Sequence, residues 1–336
     1  MVAPTVLPES LLGRPFTIAA AGQHGVSRRV LAGKRFHRLV TGVYVHADVE
    51  LTVRVWAQAA LLVTAPDAVV TGVTGLQVRG VYAGSPWPLR LVSIHPYVVR
   101  RPGLAVTRVR VLPPHDVWLA DPAHCLLAAC RAGLDLVDAV AAGDALVHRG
   151  HCDLASLTDC LRAGRGAGST QARRVSHLMR ARVESPRETY ARLLLVLAGL
   201  PEPTCNPNLG GDAGFIGRAD LAYPEYAVIV EYDGRQHAEQ SAQWERDLDR
   251  LDDFEAASWR FVRVTRQRLR RPRAVVFRVY SKLIAGGYSG PPPVFDPEWV
   301  ALFERRSAAL RTSQTADPRS WALCADAPRG HLAVVR

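Results

Sequence analysis

The sequence predicts an α/β protein built from more than one domain. Segments with the 3.6-residue hydrophobic period of helices alternate with short runs in which apolar and polar residues alternate, as in half-buried strands. The 336 residues suffice for two or three domains with their own cores, and 48% hydrophobic with 22% charged residues is ordinary for a globular chain. Changes in composition predict domains over residues 1–47, 48–161 and 183–288, a basic linker over 162–182 and a partly disordered tail over 289–336.

The charge indicates a polyanionic partner. Lysine and arginine number 42 against 31 acidic residues, which gives a formal net charge of +11 and a pI of about 9.8. A surplus of this size favours nucleic acid ahead of a membrane surface. Nearly all of it is arginine, since Lys34 and Lys282 are the only lysines. The alternative is that these arginines are ordinary solvent-exposed side chains that keep the protein soluble. A codon bias would add to their number.

The remaining global features predict a cytoplasmic protein. The six cysteines form no CxxC pair and no zinc-like spacing, which fits free thiols in a reducing compartment. The N-terminus lacks the basic and apolar regions of a secretion signal. The most apolar long run, residues 56–78, is interrupted by Pro66 and Asp67, so no membrane partner is expected.

Residues 17–46 predict a short helix, a second helix and a hairpin. Ser27 is a typical N-cap for a helix that ends at Gly33, and Thr41-Gly42 predicts the turn of a two-stranded wing. This order indicates a winged helix-turn-helix, in which the second helix contacts DNA. The expected DNA contacts are Arg28, Arg29, Lys34, Arg35, His37 and Arg38. A helical cap whose arginines are merely solvated and a protein-docking module stay open as alternatives.

Residues 48–161 predict an α+β connecting domain. Helices are expected over residues 56–62, 123–131, 134–147 and 153–161, and strands over 89–94 and 105–109. No spacing typical of catalytic residues is visible in this region. Its histidines are isolated in the sequence, and an isolated histidine is more often structural than a ligand. The Gly- and Arg-rich residues 162–182 then predict a flexible or weakly helical basic linker.

The next segment predicts a cluster of carboxylates at one end of a sheet. Ser185 and Glu188 form a capping-box pattern at a helix start, and capping alone would account for Glu188. Asp220 ends a strand over residues 215–221, and a turn can fold it back beside the next strand. Period-two alternation places Glu231 and Asp233 on one face of that strand. These positions suit a divalent-metal site of hard oxygen ligands, and a solvated sheet edge is the alternative.

A helix over residues 240–257 follows, with a buried stripe of Trp244, Leu248, Leu251 and Phe254. Asp247 falls inside the stripe, where a carboxylate needs a partner such as Arg250 or the carboxylate cluster. A buried strand over 259–265 and a helix over 274–285 complete the pattern. Between them lies a basic segment suited to a phosphate backbone, or simply solvated: Arg266, Arg268, Arg270, Arg271 and Arg273.

These elements follow the order helix, strand, strand, helix, strand, helix. Motif residues along them are Glu184-Ser185-Pro186-Arg187-Glu188, Gly199-Leu200-Pro201, Asp220, Glu231-Tyr232-Asp233-Gly234, His237, Asp247, Arg250, Trp259 and Arg263-Val264-Thr265. The set, which covers residues 183–285, resembles the PD-(D/E)XK nuclease superfamily and more closely a family of uncharacterised domains related to very-short-patch-repair (Vsr) endonucleases. Residues 25–44 are similar to the winged-helix region of AbiEi-type antitoxins.

The resemblance implies a restriction-endonuclease-like α/β domain with a mixed central sheet. In that family the acids at the positions of Asp220 and Glu231 hold Mg²⁺ (or Mn²⁺), which activates a water to attack a phosphodiester. Glu188 would complete the metal shell, and His237 would assist proton transfer. Asp233 stands where the superfamily has a lysine, although the Vsr relatives also lack that lysine.

Two functions are therefore expected from the sequence. The first is a metal-dependent DNA endonuclease that the winged helix targets to duplex DNA. The alternative is a non-catalytic DNA-binding regulator of the antitoxin kind with a degenerate nuclease domain, which would bind a cognate toxin or another protein through the middle region.

Overall fold

A computed structural model describes residues 7–97, 100–211, 214–233, 252–265 and 267–305. These described residues divide into two units, of which the first ends at Ala129 and the second begins at Cys130. Both units combine helices with strands in mixed sheets, so the predicted α/β class is confirmed at this level. The predicted domain boundaries after residues 47 and 161 each lie inside one unit.

The first unit begins with two short helices and a hairpin. The elements are β1 (Phe16–Thr17), α1 (Ile18–Gln23), α2 (Arg28–Leu31), β2 (Phe36–Val40) and β3 (Val43–His46), preceded by a 3-10 turn, Glu9–Leu11. Ser27 caps α2 as predicted, since its hydroxyl oxygen accepts the backbone N–H of Val30 at 3.4 Å. The strands form an antiparallel sheet in the order β1-β3-β2.

A five-stranded mixed sheet follows in the same unit. The elements are α3 (Val53–Leu61), β4 (Val69–Val70), α4 (Gly72–Val78), β5 (Leu89–Ser93), β6 (Leu104–Arg108), β7 (His115–Asp116), β8 (Leu119–Ala120) and α5 (Pro122–Arg131). The order is β6-β5-β4-β8-β7, with β5–β6 and β4–β8 parallel. Val43 and Val45 of the hairpin are fully buried in one core with Trp56 and Leu91. A boundary after residue 47 would therefore cut through a shared core.

The residues predicted as a basic linker, 162–182, contain a packed helix. Ala172, Val175 and Met179 are buried, and their spacing of three and four residues marks one helix face. The helical alternative of the linker prediction is present in this segment, although the abundance of Gly and Arg obscured the buried face of the helix. The helices in this part of the second unit are α6 (Leu136–His148), α7 (Leu154–Ala163), α8 (Ser169–Leu178) and α9 (Pro186–Val196).

A buried ionic network joins α6, the end of α8 and α9. Asp144 Oδ2 lies 3.2 Å from Arg192 Nη2, and both side chains are essentially inaccessible to solvent. The Asp144 carboxylate also accepts the Thr189 hydroxyl at 2.9 Å and the backbone N–H of Arg180 at 2.8 Å. Arg192 Nη1 lies 2.9 Å from Glu202 Oε1. Burial raises the pKa of Asp144 to about 6, against the opposing effects of Arg192 and the hydrogen bonds.

The second unit also contains a four-stranded mixed sheet. The described strands of this unit, which include two outside that sheet, are β9 (Thr204–Cys205), β10 (Asn208–Gly211), β11 (Gly214–Arg218), β12 (Leu221–Tyr223), β13 (Val228–Asp233) and β14 (Arg260–Thr265). The order is β14-β13-β12-β9, with β13 and β14 parallel, while β10 and β11 form a separate antiparallel pair. The predicted strand over 215–221 is thus divided between two sheets. The chain leaves β11 at Ala219, which is fully buried and donates its N–H to the Pro207 carbonyl oxygen at 3.2 Å.

The predicted helix over 240–257 is described only for its end. Residues 252–256 are helical, and Phe254 is fully buried as its place in the predicted stripe requires. The remainder of that helix lies outside the described residues. The strand expected over 259–265 is present as β14, in which Val262 and Val264 are buried.

The C-terminal part of the second unit packs against α9. Helix α10 (Pro272–Ala285) is followed by the short helix α11 (Pro297–Trp299) and a π-helical segment, Val300–Arg305. The indole N–H of the buried Trp299 donates to the Leu194 carbonyl oxygen at 3.0 Å, and Phe303 is buried against Tyr190. Within the predicted partly disordered tail, Trp299 and Phe303 are therefore packed. Within the described ranges, no helix is both long and apolar enough to cross a bilayer.

Candidate functional site

Asp220 and Glu231 lie side by side at one end of the second unit's four-stranded sheet. The register of β12 and β13 pairs Leu221 with Val230, so the next step along the two chains places Asp220 opposite Glu231. Asp220 Oδ2 accepts the backbone N–H of Tyr232 at 2.8 Å, which fixes this carboxylate against β13. The structure therefore brings together the two acids that the sequence analysis selected as metal ligands.

The loop before β10 holds Asp220 from its other side. The backbone N–H of Asn206 donates to the Asp220 carbonyl oxygen at 2.8 Å. The Asn206 side-chain amide donates to Glu188 Oε2 at 2.7 Å. Asn206 thus connects the backbone at Asp220 to the first turn of α9.

Glu188 is nearly buried and has a structural role at the start of α9. Its Oε2 accepts the backbone N–H of Glu184 at 2.9 Å, and its own N–H donates to Ser185 Oγ at 3.2 Å. This is the reciprocal arrangement that the capping-box pattern predicts, with the return bond to the residue before the N-cap. Capping therefore accounts for Glu188, as the alternative interpretation of the sequence expected.

Two cationic side chains lie near the start of α9. The Arg187 guanidinium carbon lies 5.1 Å from the centroid of the Tyr232 ring, next along β13 from Glu231. Arg218 makes two hydrogen bonds to the Glu184 carboxylate, at 2.9 and 2.8 Å. The sequence analysis gave Arg187 no role of its own, because no local pattern pairs the first turn of a helix with a strand 45 residues later.

The described residues provide two acids for a metal, not three. Across the described ranges, no three His, Cys, Asp or Glu side chains form a group able to hold a metal ion. The backbone of Asp233 ends β13 opposite Thr265. The predicted residues His237, Asp247, Arg250 and Arg266 lie outside the described residues. Two adjacent carboxylates still fit Mg²⁺, which keeps several waters and takes one or two protein carboxylates.

The first unit exposes the predicted DNA-contacting residues. Arg28 and Arg29 lie on α2, Lys34 and Arg35 follow it, and Arg38 lies on β2, all five with exposed side chains. Residues 10–47 include no acidic residue. This part of the unit therefore presents a strongly positive surface.

The basic segment after β14 is partly engaged in the protein's own contacts. Arg268 is exposed, but its guanidinium donates to the Arg263 carbonyl oxygen, and its backbone N–H donates to Thr265 Oγ1 at 3.2 Å. Arg273 Nε lies 2.7 Å from Glu304 Oε1. Arg273 thus belongs to the packing of the C-terminal segment.

The buried Asp144–Arg192 pair was not predicted from the sequence, although a signal for it was present. Asp144 follows the buried residues Val137 and Val140 by seven and four positions. Helical spacing therefore places Asp144 on the buried face of α6. The same reasoning had singled out Asp247 in a later helix.

No family model and no solved structure match this chain. It is similar to "Uncharacterized protein MT2308" of Mycobacterium tuberculosis (strain CDC 1551 / Oshkosh) and to "Uncharacterized protein Rv2248" of Mycobacterium tuberculosis (strain ATCC 25618 / H37Rv). Each is 28% identical over 134 residues, which cover 40% of this chain and 49% of the relative. The chain thus spans about half the length of the curated relatives it matches, whose names state no activity.

Proposed function

We propose that this chain binds DNA and hydrolyses phosphodiester bonds in a metal-dependent reaction. The observation that carries the proposal is the juxtaposition of Asp220 and Glu231, with Asp220 fixed by the Tyr232 N–H at 2.8 Å. Two adjacent carboxylates supply the hard oxygen ligands that Mg²⁺ takes from a protein. A solvated sheet edge would not require the additional bond that positions Asp220.

In this proposal Asp220 and Glu231 hold Mg²⁺ or Mn²⁺. The ion would supply a water of lowered pKa and neutralise charge on the phosphate. Arg187, which packs on the Tyr232 ring at the same end of β13, is a candidate phosphate contact for a substrate that extends past the acid pair. Arg187 keeps its proton, so it positions a phosphate and does not act as a base.

The proton-handling residues of the proposal are those predicted from the sequence. His237 is the proposed base, because an imidazole titrates near neutral pH. Asp233 is a carboxylate at the position of the superfamily lysine and cannot supply the charge of an ammonium. Asp247 and Arg250 are proposed to support the site.

The first unit is proposed to hold the DNA. Its elements have the order and sheet pairing expected for a winged helix-turn-helix: two helices, the second bearing exposed Arg28 and Arg29, followed by a hairpin. Lys34, Arg35 and Arg38 would contact phosphates around the hairpin, and Arg268 would contribute from the second unit.

A second candidate function is favoured by one observation. The described residues offer two acidic ligands and a structural Glu188, as in a nuclease domain that has lost its activity. The chain would then be a DNA-binding regulator of the antitoxin kind, whose middle region, residues 48–161, docks a toxin or another protein.

A plasmid-nicking assay with Mg²⁺ or Mn²⁺ separates the two functions. The Asp220→Ala and Glu231→Ala variants should lose cleavage by about 100-fold or more, the size of effect expected when a preorganised charge is removed. Glu225→Ala is a matched control, because Glu225 is an exposed acid in the turn between the same two strands. If the unmodified chain cleaves neither duplex, single-stranded nor mismatched DNA with either metal, the endonuclease function is excluded. The DNA-binding regulator would then be the remaining proposal.

A further inference from the structure

A second basic surface lies along the edge of the first unit's five-stranded sheet. Residues 68–115 include six arginines and no lysine, aspartate or glutamate. Strand β6 is at the end of the sheet order, and a groove along it is lined by Arg100, Arg101 and Arg108. Arg100, Arg108 and Arg110 have exposed side chains. None of these arginines belongs to the helix–hairpin region, which comprises residues 16–46.

The turn that precedes β6 holds its arginines in a defined position. The Leu104 N–H donates to the Arg101 carbonyl oxygen at 3.1 Å, which closes a four-residue turn with Pro102 and Gly103 at its centre. Gly103 has a φ of 79°, and a Cβ there would lie 3.2 Å from the Trp87 ring. Proline followed by a glycine of positive φ is the signature of a type II turn. The turn therefore presents Arg101 from a rigid backbone.

Arg101 connects this surface to the hairpin. Its Nη1 donates to the carbonyl oxygen of Thr41, at the hairpin turn, at 3.1 Å. Arg38 Nη2 donates to Thr41 Oγ1 at 3.2 Å. Two arginines, one from each region, therefore converge on one turn residue, and the positive surface is continuous from β2 to β6.

The acid at this end of the sheet is already engaged. The Asp67 carboxylate accepts the Ser93 hydroxyl at 2.9 Å and the Ile94 N–H at 2.7 Å. Ser93 pairs with Arg108 in the β5–β6 register, so Asp67 offsets part of the charge near Arg108. Arg100 and Arg110 add to the surface on either side of that position in the sequence.

We propose that Arg100, Arg101, Arg108 and Arg110 bind the phosphate backbone of the same DNA that the helix–hairpin region holds. Arg100 and Arg101 precede the edge strand β6, Arg108 ends it and Arg110 follows it, so the four arginines flank this strand at both ends. They supply charge without a patterned set of base-reading groups, so the contact is sequence-independent. This proposal rests on the proposed DNA binding and extends the bound DNA beyond the helix–hairpin region.

The test is the salt dependence of duplex binding, measured by fluorescence anisotropy between about 50 and 200 mM NaCl. The triple variant Arg100→Gln, Arg108→Gln and Arg110→Gln leaves Arg101 and its structural bond in place. The slope of log K against log salt should fall by about two to three, because each phosphate contact contributes about 0.9. The triple change to lysine should restore most of that slope, since lysine retains the charge.

The matched control removes the same charge from the second unit. Arg149, Arg162 and Arg165 are exposed, and their change to glutamine should leave the slope nearly unaltered. The proposal would be overturned if the salt slope fell equally in the two triple variants. An unchanged slope in the variant of Arg100, Arg108 and Arg110 would overturn it as well. If the unmodified chain binds no duplex, the proposed function and this inference fail together. If Arg28→Ala plus Arg29→Ala lowers the salt slope but the triple glutamine variant of Arg100, Arg108 and Arg110 does not, this inference alone fails.

Discussion

The two units use their arginines differently. Residues 1–129 include 13 basic and 6 acidic residues, whereas residues 130–314 include 26 and 23. In the second unit, arginines pair with acids: Arg192 with Asp144, Arg218 with Glu184, and Arg273 with Glu304. In the first unit the predicted DNA-contacting arginines are exposed. Net charge alone is therefore a poor guide to a binding surface, and the pairing of each arginine decides whether it can meet a polyanion.

The largest effect on stability is expected at the buried pair of the second unit. Asp144→Ala leaves the Arg192 guanidinium buried without the Asp144 carboxylate. This loss should reduce the free energy of unfolding by about 3–5 kcal/mol. Chemical denaturation at neutral pH measures the change. Asp159→Ala is the control, because Asp159 is exposed on α7 and its loss should cost less than about 0.5 kcal/mol. Similar small changes in both variants would mean that this pair does not stabilise the unit.

The same pair predicts a pH dependence in the second unit. Burial raises the pKa of Asp144 from 3.8 to about 6, so the folded chain keeps a proton in a window where the unfolded chain has lost it. Its contribution to the free energy of unfolding should therefore fall as pH rises from 3.8 to about 6. Asp144→Asn has no such titration. The difference between the two proteins, measured by urea unfolding across this window, should decrease with pH, and a rising difference would contradict the assignment.

The next prediction concerns the exposed arginines of the first unit. Arg28→Ala plus Arg29→Ala should weaken duplex binding and lower the salt slope by about two, because two phosphate contacts are lost. Arg162→Ala plus Arg165→Ala removes equal charge from the second unit as a control. A slope that falls equally in both proteins would show that net charge, not the exposed α2 surface, drives binding.

The smallest effect is expected at the cap of α9. Ser185→Ala removes the acceptor of the Glu188 N–H and should cost about 1 kcal/mol of stability. Ser281→Ala on α10 is the control, because its hydroxyl bonds back to the Phe277 carbonyl oxygen within the helix and caps no terminus. Thermal unfolding compares the two, and equal melting temperatures would leave no role for the cap.

Local patterns predicted much of the fold and part of the site. Period-two alternation and a turn were enough to bring Asp220 beside Glu231, and the capping box at Ser185 and Glu188 was visible directly. Helical spacing also marked Asp144 and the aromatic residues that pack the C-terminal segment. The spacing of Trp299 and Phe303 was overlooked because their late position in the chain suggested disorder. Asp144 lies in a helix that was predicted, but its place on the buried face was not read from the spacing.

Other features depend on contacts between distant segments. Arg101 meets Thr41 across 60 positions, and Arg187 meets Tyr232 across 45. No periodicity in one segment specifies its partner in another, because such pairs follow from how complete sheets and helices pack. The division of the chain after Ala129 has the same origin, since a core shared between hairpin and sheet has no local signature.

The central claim is that Asp220 and Glu231 together bind a divalent metal, and calorimetric titration of the full chain with Mn²⁺ tests it directly. The unmodified protein and the Glu225→Ala control should bind the metal alike. Asp220→Ala and Glu231→Ala should each lose that binding while thermal unfolding shows a folded protein. Equal binding by all four proteins, or none by the unmodified chain, would contradict the account.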